Sequence, residues 1–298
     1  MKHLLKLEGM PGAAMEEILA SAKVIKTKRG GGEAKPLDGQ TWAMIFTKSS
    51  TRTRVSFEVG IRELGGSVMF LNANDMQLGR GEPIKDTARV LGRMVHGAVI
   101  RTFAQTDVEE FAEYSGIPTI NALTDDEHPC QILTDIFTFQ ERRGPIRDKV
   151  VTYVGDGGCN VPVSWVHAAA ALDFELRIAA PSEFQPSTET LAKAGGNISC
   201  TEDIRDAVKG ADMVYTDVWV SMGMEAEAEE RLAKLAGYQI NGGLMCLAKP
   251  DALVMHCLPA YRGKEIDAET FEAHADTIFT QAENRLHTQK AVLAWLAG

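Results

Sequence analysis

The sequence predicts an α/β fold made of two doubly wound domains with parallel central sheets. The chain has 298 residues, which suits two cores of about 150 residues each better than a single core. Short apolar runs alternate with amphipathic stretches in two successive series, as expected of parallel strands joined by crossover helices. The segment Arg142-Arg143-Gly144-Pro145 separates the two series, because its glycine and proline end a helix and form a turn.

The first series follows a helix that we expect over residues 13–28, with Met15, Ile18, Leu19 and Val24 as its apolar stripe. Beyond a glycine-rich connection, apolar strands and amphipathic helices are expected in turn. The expected strands are residues 42–46, 67–71, 97–102 and 118–121, and the expected helices are residues 52–64, 84–93, 108–114 and 130–141.

The second series completes the predicted domain organisation. Residues 1–143 and 144–279 are expected to form the two domains, and residues 280–298 a C-terminal helix that packs back on the first. The helix proper is expected over residues 283–296. The expected strands of the second series are residues 150–154, 175–179, 213–215, 253–255 and 277–280.

Composition excludes several classes of function. The net charge is −10, whereas binding of a nucleic acid or an anionic membrane needs a broad basic face. The five cysteines are odd in number and form no CxxC pair, so neither a disulfide framework nor a zinc site is expected. No apolar run approaches the length of about 18 residues that a membrane span requires, and the N-terminus has no apolar leader. We therefore expect a cytoplasmic protein.

The segment Ser50-Thr51-Arg52-Thr53-Arg54 lies where the first expected strand meets a helix. The free N–H groups of a first helical turn, the helix dipole, the hydroxyls and a guanidinium would converge there on a phosphate-sized anion. A capping serine followed by surface arginines is the structural alternative.

Further polar residues of the first domain follow expected strands. Arg101 closes the strand at 97–102, where a solvated arginine is the alternative. His128 precedes a proline that suits the first helical position, and Gln131 lies three residues on. Both side chains could donate to a carbonyl oxygen that gains negative charge, although His128 could also simply cap the helix. Gln77 lies in a loop that neither strand nor helix patterning explains.

The second domain has its own polar strand ends. The segment Gly155-Asp156-Gly157-Gly158-Cys159-Asn160 fails the dinucleotide-binding spacing at Asn160, so a nicotinamide cofactor is not expected. Asp217 follows a strand and precedes Ser221-Met222-Gly223, and His256-Cys257-Leu258-Pro259 follows another. Arg285 lies in Glu283-Asn284-Arg285-Leu286-His287, which is expected to begin the last helix. A turn aspartate, a buried apolar cysteine and a charged first helical turn are the structural alternatives.

The order and spacing of these clusters resemble the aspartate/ornithine carbamoyltransferase family over nearly the whole chain, and its ornithine branch more closely. S-T-R-T-R with Lys48 upstream is similar to the family's carbamoyl phosphate loop. The segment after Asp217 resembles the loop that holds the amino-acid end of ornithine, and H-C-L-P resembles the catalytic strand end. The family usually has asparagine where this chain has Cys159, so the substrate role is carried to Asn160 alone.

The resemblance implies attack of the δ-amine of L-ornithine on carbamoyl phosphate, without a metal or an organic cofactor. It also implies a homotrimer, or an assembly of trimers, with shared active sites, in which Gln77 reaches a neighbour's site. A putrescine or N-acylornithine carbamoyltransferase, and a catalytically silent phosphate-binding or assembly subunit, remain alternatives. The implied catalytic residues are Arg52, Arg101, His128, Gln131, Asp217, Cys257 and Arg285. The implied carbamoyl phosphate ligands are Ser50, Thr51, Arg52, Thr53, Gln77, Arg101, His128, Gln131, Cys257, Leu258 and Arg285. The implied ornithine ligands are Asn160, Asp217, Ser221 and Met222.

Overall fold

The computed structural model describes residues 1–32, 34–72, 81–221 and 223–298. They divide into two compact units, one of Met1–Phe137 with Glu283–Gly298 and one of Thr138–Ala282. Within the described ranges, no helix combines the length and the apolar character that a membrane span would need.

The first unit contains a parallel four-stranded sheet, which confirms the predicted α/β class. The strand order is β2-β1-β3-β4, so the chain moves to one side after β1 and to the other side for β3. The strands are β1 (Thr41–Phe46), β2 (Ser67–Asn72), β3 (Gly97–Arg101) and β4 (Thr119–Leu123). The helices that begin in this unit are α1 (Gly12–Lys28), α2 (Thr51–Glu63), α3 (Ile84–Leu91), α4 (Gln105–Ser115) and α5 (Pro129–Arg143).

The second unit contains a parallel five-stranded sheet in the order β7-β6-β5-β8-β9. Short 3₁₀ turns at Ser182–Phe184, Glu225–Glu227 and Ala236–Tyr238 complete the unit. The strands are β5 (Val150–Val154), β6 (Glu175–Ala179), β7 (Ile198–Thr201), β8 (Met213–Thr216) and β9 (Leu253–His256). The helices are α6 (Asn160–Leu172), α7 (Thr188–Ala194), α8 (Ile204–Val208), α9 (Ala228–Leu235), α10 (Gly242–Met245), α11 (Ala268–Ala273) and α12 (Ala275–Ala297).

Each unit has an apolar core on its central strands. In the first unit, a Cβ atom at Gly97 would come within 2.6 Å of the ring of Trp42, so glycine is needed at that position. In the second, the fully buried Trp165 meets the ring of Tyr215 edge-on at 5.6 Å between centroids. These strands are buried on both faces, which is why they read as continuous apolar runs in the sequence.

The structure corrects the prediction at the end of the chain. Residues 277–280 were expected to form a strand, but they lie in α12, which begins at Ala275 rather than at residue 283. A four-residue apolar run does not distinguish a strand from part of a buried helix. The structure also contains β7, which the sequence analysis did not predict, since this short strand is only partly buried. Val24 is about half exposed and Ala22 takes its place in the apolar stripe of α1.

The predicted return of the C-terminal helix is confirmed, because residues from Glu283 onward belong to the first unit. The strand orders place two groups of polar residues at the carboxyl ends of adjacent strands. In the first unit, Phe46 at the end of β1 is in register with Arg101 at the end of β3. In the second, Thr216 pairs with Val154 on one side and with His256 on the other. Ligands of open parallel sheets bind at such switch points.

Candidate active-site residues in the two units

The first turn of α2 carries the predicted anion loop. Ser50 is the N-cap, and its hydroxyl oxygen accepts a hydrogen bond from the Thr53 N–H at 3.2 Å. Ser56 Oγ donates to the Arg52 carbonyl oxygen at 2.7 Å, which secures the turn from behind. The first N–H groups of a helix have no hydrogen-bond acceptor within the helix, so this turn presents backbone donors to an anion. Thr51, the first residue of the helix, is exposed.

Arg285 of α12 lies directly against this turn. Its Nη2 donates to Thr53 Oγ1 at 2.8 Å, although the two residues are 232 positions apart in the chain. Thr53 is fully buried and Arg285 is almost so. The contact fixes a guanidinium beside the helix start.

The two basic residues that flank the loop face elsewhere. Lys48 is buried, forms an ion pair with Asp125, and lies 4.2 Å from the ring centroid of Phe103. Arg54 is exposed, and its guanidinium lies 3.8 Å from the ring centroid of Phe70. Arg52, which is partly buried, is therefore the arginine of the loop that remains as the candidate anion ligand.

Arg101 and His128 are both buried at the same edge of the sheet. Burial is the largest cause that lowers the pKa of His128 well below its usual value of 6.5, and the positive charges of Arg285 and Arg101 lower it further. The imidazole is therefore neutral at pH 7, and it can donate a hydrogen bond without carrying a charge. The influence of both guanidinium groups on His128 brings these three predicted residues into one neighbourhood.

Gln131 offers a buried acceptor in addition to the donor that the sequence suggested. Its Nε2 donates to Asp135 Oδ1 at 2.9 Å within α5. Its Oε1 is buried and has no hydrogen-bond partner among the described residues. This buried acceptor fits the NH2 group of a carbamoyl ligand.

In the second unit, the structure joins Asp217 and Cys257 at the ends of β8 and β9. Cys257 Sγ donates to Asp217 Oδ1 at 2.8 Å, and the Val218 N–H donates to the same oxygen at 2.7 Å. Both side chains are 8% exposed. A buried carboxylate whose donors, among the described residues, are neutral attracts a cationic amine, because those donors do not cancel its charge.

His256 stabilises this strand end through hydrogen bonds at both of its ring nitrogens. Its Nε2 and Glu265 Oε1 are 3.0 Å apart, and its Nδ1 accepts from the Leu258 N–H at 2.8 Å. Leu258 has a φ of 61°, so this contact holds an unusual backbone conformation.

Asp217, His256 and Cys257 also offer possible metal-ligand atoms within 4.8 Å of one another. A metal on all three would have to displace a hydrogen bond of His256, since both its ring nitrogens are engaged. The residues therefore do not fit a three-ligand metal site in this arrangement.

The turn after β5 places Cys159 as the N-cap of α6 and Asn160 as its first residue. Cys159 Sγ donates to the Asp156 carbonyl oxygen at 3.3 Å and lies 3.8 Å from the Tyr153 hydroxyl. Burial raises the pKa of Cys159 well above its usual value, and the charges of Asp156 and Asp217 raise it further. Cys159 is therefore a neutral thiol that holds the turn in place. The next residue, Asn160, is partly buried.

Two of the predicted residues, Gln77 and Met222, lie outside the described residues. Ser221 is described: it is partly buried, and its carbonyl oxygen accepts from the Met224 N–H at 3.0 Å. No described contact joins Ser221 to Asn160 or Asp217, so their common role stays a prediction.

A buried ion pair that no sequence pattern predicted joins Arg231 to Asp156. Arg231 Nε also donates to the Trp219 carbonyl oxygen at 2.9 Å, so α9 is tied to the loops after β5 and β8. No local pattern predicts a pair 75 residues apart. The Gln131–Asp135 contact could have been predicted from the sequence, because residues four apart on a helix are neighbours.

Comparison with known proteins identifies similar chains over the full length. Residues 2–141 match the family model described as "Aspartate/ornithine carbamoyltransferase, carbamoyl-P binding domain". Residues 147–296 match the model described as "Aspartate/ornithine carbamoyltransferase, Asp/Orn binding domain". An ornithine carbamoyltransferase of Akkermansia muciniphila is 54% identical over 300 residues, which cover 100% of this chain and 98% of that protein.

Solved structures give the same result. The ornithine carbamoyltransferase of Pyrococcus furiosus has a TM-score of 0.92 at 45% identity, with 100% of this chain and 97% of that chain covered. The anabolic ornithine carbamoyltransferase of Campylobacter jejuni has a TM-score of 0.94 at 43% identity, with 99% of each chain covered.

Proposed function

Because the chain belongs to the aspartate/ornithine carbamoyltransferase family, we propose that it transfers the carbamoyl group of carbamoyl phosphate to the δ-amine of L-ornithine, forming L-citrulline and phosphate. The observation that carries this function is the presence of two distinct sites: the pairing of Cys257 with Asp217 at a strand end of the second unit, and an anion-binding helix start in the first unit. One sheet edge suits a phosphorylated donor, and the other suits an amine acceptor.

We assign carbamoyl phosphate binding to residues 1–143 and ornithine binding to residues 144–279, with 280–298 as the helix that returns to the first domain. The two family models match residues 2–141 and 147–296, which supports a boundary near residue 144.

The phosphate of the donor would bind at the start of α2. Backbone N–H groups and the hydroxyls of Ser50, Thr51 and Thr53 can donate to its oxygens, and Arg52, Arg101 and Arg285 can balance its charge. This charge grows as phosphate leaves, so fixed cations stabilise the transition state more than the bound substrate. Gln77 is assigned to the same ligand by resemblance.

The carbamoyl group would be oriented by the buried side chains of α5. The neutral imidazole of His128 can donate to the carbonyl oxygen, which gains negative charge when the amine attacks. Gln131 Oε1 can accept from the carbamoyl NH2 group, because this oxygen is buried and has no hydrogen-bond partner among the described residues. We assign Leu258 to the same group by resemblance.

The acceptor amine must lose a proton before it attacks, since an alkyl ammonium with a pKa near that of lysine is almost fully protonated at pH 7. Asp217 would hold and orient the amine and take up its proton on the carboxylate, and Cys257, hydrogen-bonded to that carboxylate, would assist the transfer. We assign Asn160, Ser221 and Met222 to the amino-acid end of ornithine by resemblance.

We further propose that the enzyme acts in the cytoplasm in arginine biosynthesis, as a homotrimer or an assembly of trimers. Likeness to the anabolic Campylobacter jejuni enzyme supports the direction. Exposed apolar side chains on α2, on β2 and after β3 (Val55, Met69 and Phe103) agree with a subunit contact. Light scattering during size-exclusion chromatography tests the assembly, and a monomeric mass would contradict it.

Incubating the protein with carbamoyl phosphate and one amine at a time tests the activity. The amines are L-ornithine, putrescine and N-acetylornithine, and each ureido product is identified by its mass. Citrulline from ornithine alone is expected. A product from putrescine but not from ornithine would contradict the proposal, and carbamoyl phosphate binding without any product would indicate a silent subunit.

A further inference from the structure

Lys290 is a fully buried cation that the proposed chemistry does not use. An ammonium group withdrawn from water is destabilising unless it is paired. Lys290 Nζ donates to Glu63 Oε2 at 2.7 Å, and the other carboxylate oxygen of Glu63 accepts from Arg29 Nη2 at 2.9 Å. Burial alone would raise the pKa of Glu63, but the hydrogen bonds from Lys290 and Arg29 outweigh it and lower this pKa. Lys290 and Glu63 therefore form a charged pair between α12 and the last turn of α2.

Helices α2 and α12 meet at both ends of α2. At its first turn, Thr53 Oγ1 accepts from Arg285 Nη2 at 2.8 Å. In its last turn, Glu63 binds Lys290. Between them the helices approach closely, because a Cβ atom at Gly60 would lie 3.1 Å from Lys290 Cγ and 3.5 Å from Leu286 Cδ1.

Two separated contacts constrain the position of α2 against α12 more than a single contact would. Thr53 and Glu63 lie about 15 Å apart along α2, from a rise of about 1.5 Å per residue. A contact at Thr53 alone would leave α2 able to pivot about its first turn. The second contact at Glu63 fixes both the slide and the rotation of α2 against α12.

We propose that Lys290 is a positioning residue for the phosphate site. Its ion pair with Glu63 holds α2 so that the first turn presents Ser50 and Arg52 beside Arg285. The inference rests on the proposed function, in that the first turn of α2 binds the phosphate of carbamoyl phosphate. A buried ion pair is a weak source of stability compared with apolar packing, but it can define the register of two elements. That is the role we assign to this pair.

Lys290→Met tests the role, because methionine keeps an unbranched apolar stem and removes the charge. We expect the KM for carbamoyl phosphate to rise about tenfold, as a small misplacement of a binding group would cause, and the KM for ornithine to stay within about twofold. The affinity for inorganic phosphate, measured by calorimetry, should fall by the same factor. Lys290→Arg keeps the charge and should restore most of the carbamoyl phosphate KM.

Lys26→Met is the matched control. Lys26 Nζ donates to Asn284 Oδ1 at 2.7 Å, so this lysine ties α12 to α1 instead of α2. Its loss should lower the melting temperature and leave the KM for carbamoyl phosphate unchanged.

The double variant Lys290→Met/Glu63→Gln separates positioning from stability. It removes the buried ammonium together with its carboxylate partner, so its melting temperature should recover relative to Glu63→Gln, while the KM for carbamoyl phosphate should stay raised. A KM that returned to the parent value together with the melting temperature would overturn the inference. A parent-like KM in Lys290→Met would overturn it as well, with the proposed function intact. A parent protein that neither bound phosphate nor formed citrulline would instead overturn the proposed function and, with it, the inference.

Discussion

The two units use the same parallel architecture, yet the carboxyl ends of their strands carry opposite chemistry. In the first unit, Arg285 lies against a helix start, and burial, together with the charges of Arg285 and Arg101, keeps His128 neutral. In the second, adjacent strand ends present Asp217 and Cys257, joined by a 2.8 Å hydrogen bond. The topology determines where a ligand binds, and the side chains determine the charge of the ligand that binds there.

The second unit also shows how an acid is kept available for a ligand. Asp156 forms a buried ion pair with Arg231, so its charge is met within the protein. Asp217 is held instead by a backbone N–H and a thiol, both neutral donors. Of these two buried acids, Asp217 is therefore the one suited to an amine.

Arg52→Gln should break the anion side of this comparison and have the largest effect. Loss of one charge contact that strengthens in the transition state costs about 3 kcal/mol, so kcat/KM for carbamoyl phosphate should fall at least about a hundredfold. Steady-state kinetics checks this result. Arg54→Gln is the control, because Arg54 is exposed and faces Phe70, and its rate should stay near that of the parent. Near-normal turnover in Arg52→Gln would remove Arg52 from the mechanism.

Cys257→Ala should break the amine side with a somewhat smaller effect. Loss of a group that assists proton transfer lowers kcat by about a hundredfold. The affinity for inorganic phosphate should not change, since phosphate is assigned to the first unit. Timed citrulline assays measure kcat, and calorimetry measures the affinity for inorganic phosphate. Cys200→Ala, at a half-buried thiol in β7, should behave like the parent, and an equal loss in both variants would contradict the assignment.

Ser221→Ala should sharpen the comparison within the second unit. A lost hydrogen bond to a charged group costs about 1.5 kcal/mol, so the ornithine KM should rise about tenfold. The KM for carbamoyl phosphate should remain the same. The opposite pattern, a raised carbamoyl phosphate KM with an unchanged ornithine KM, would misplace this loop.

His128 should make a smaller, pH-dependent contribution to stability. Its pKa is lowered in the folded state by burial and by two guanidinium groups, so the unfolded chain binds more protons below its usual value of 6.5. This contribution is present above pH 6.5 and is lost as the pH falls towards the folded pKa. Between about pH 7.5 and about pH 5.5 it amounts to about 1.4 kcal/mol.

Urea unfolding of the parent and of His128→Gln at both pH values measures the difference. The variant should lose less stability on acidification. Burial also lowers the pKa values of three other histidines, His3, His274 and His287. Their pH-dependent contributions to the free energy of unfolding remain in both proteins. An identical pH dependence would contradict the neutral imidazole.

Sequence patterns were sufficient for the sheets but not for the distant contacts. Strands such as Val150–Val154 were predicted to the residue, because strands buried on both faces are continuous apolar runs. The prediction of a strand at residues 277–280 was wrong, since a short apolar run inside a long helix has the same composition as a short buried strand. Arg285 was expected in a first helical turn, yet it lies well inside α12 and reaches Thr53 across the sequence.

The side-chain partners required the structure. Nothing local in the sequence pairs Arg231 with Asp156 or Lys290 with Glu63, because each pair joins separate elements. The acceptor that Gln131 offers was equally hidden: its Nε2 donates to Asp135, and its Oε1 is buried without a hydrogen-bond partner among the described residues. Sequence can indicate which residue types gather at a strand end, but hydrogen-bond partners decide what each of them offers.

Calorimetric binding of carbamoyl phosphate to Arg52→Gln and Asp217→Asn tests most directly the division of charge between the two units. We expect the affinity of Arg52→Gln to fall at least about tenfold, and that of Asp217→Asn to stay within about twofold of the parent. Asn keeps the size of the carboxylate and removes its charge, so the comparison isolates the sign of each site. Equal weakening in the two variants would contradict the account.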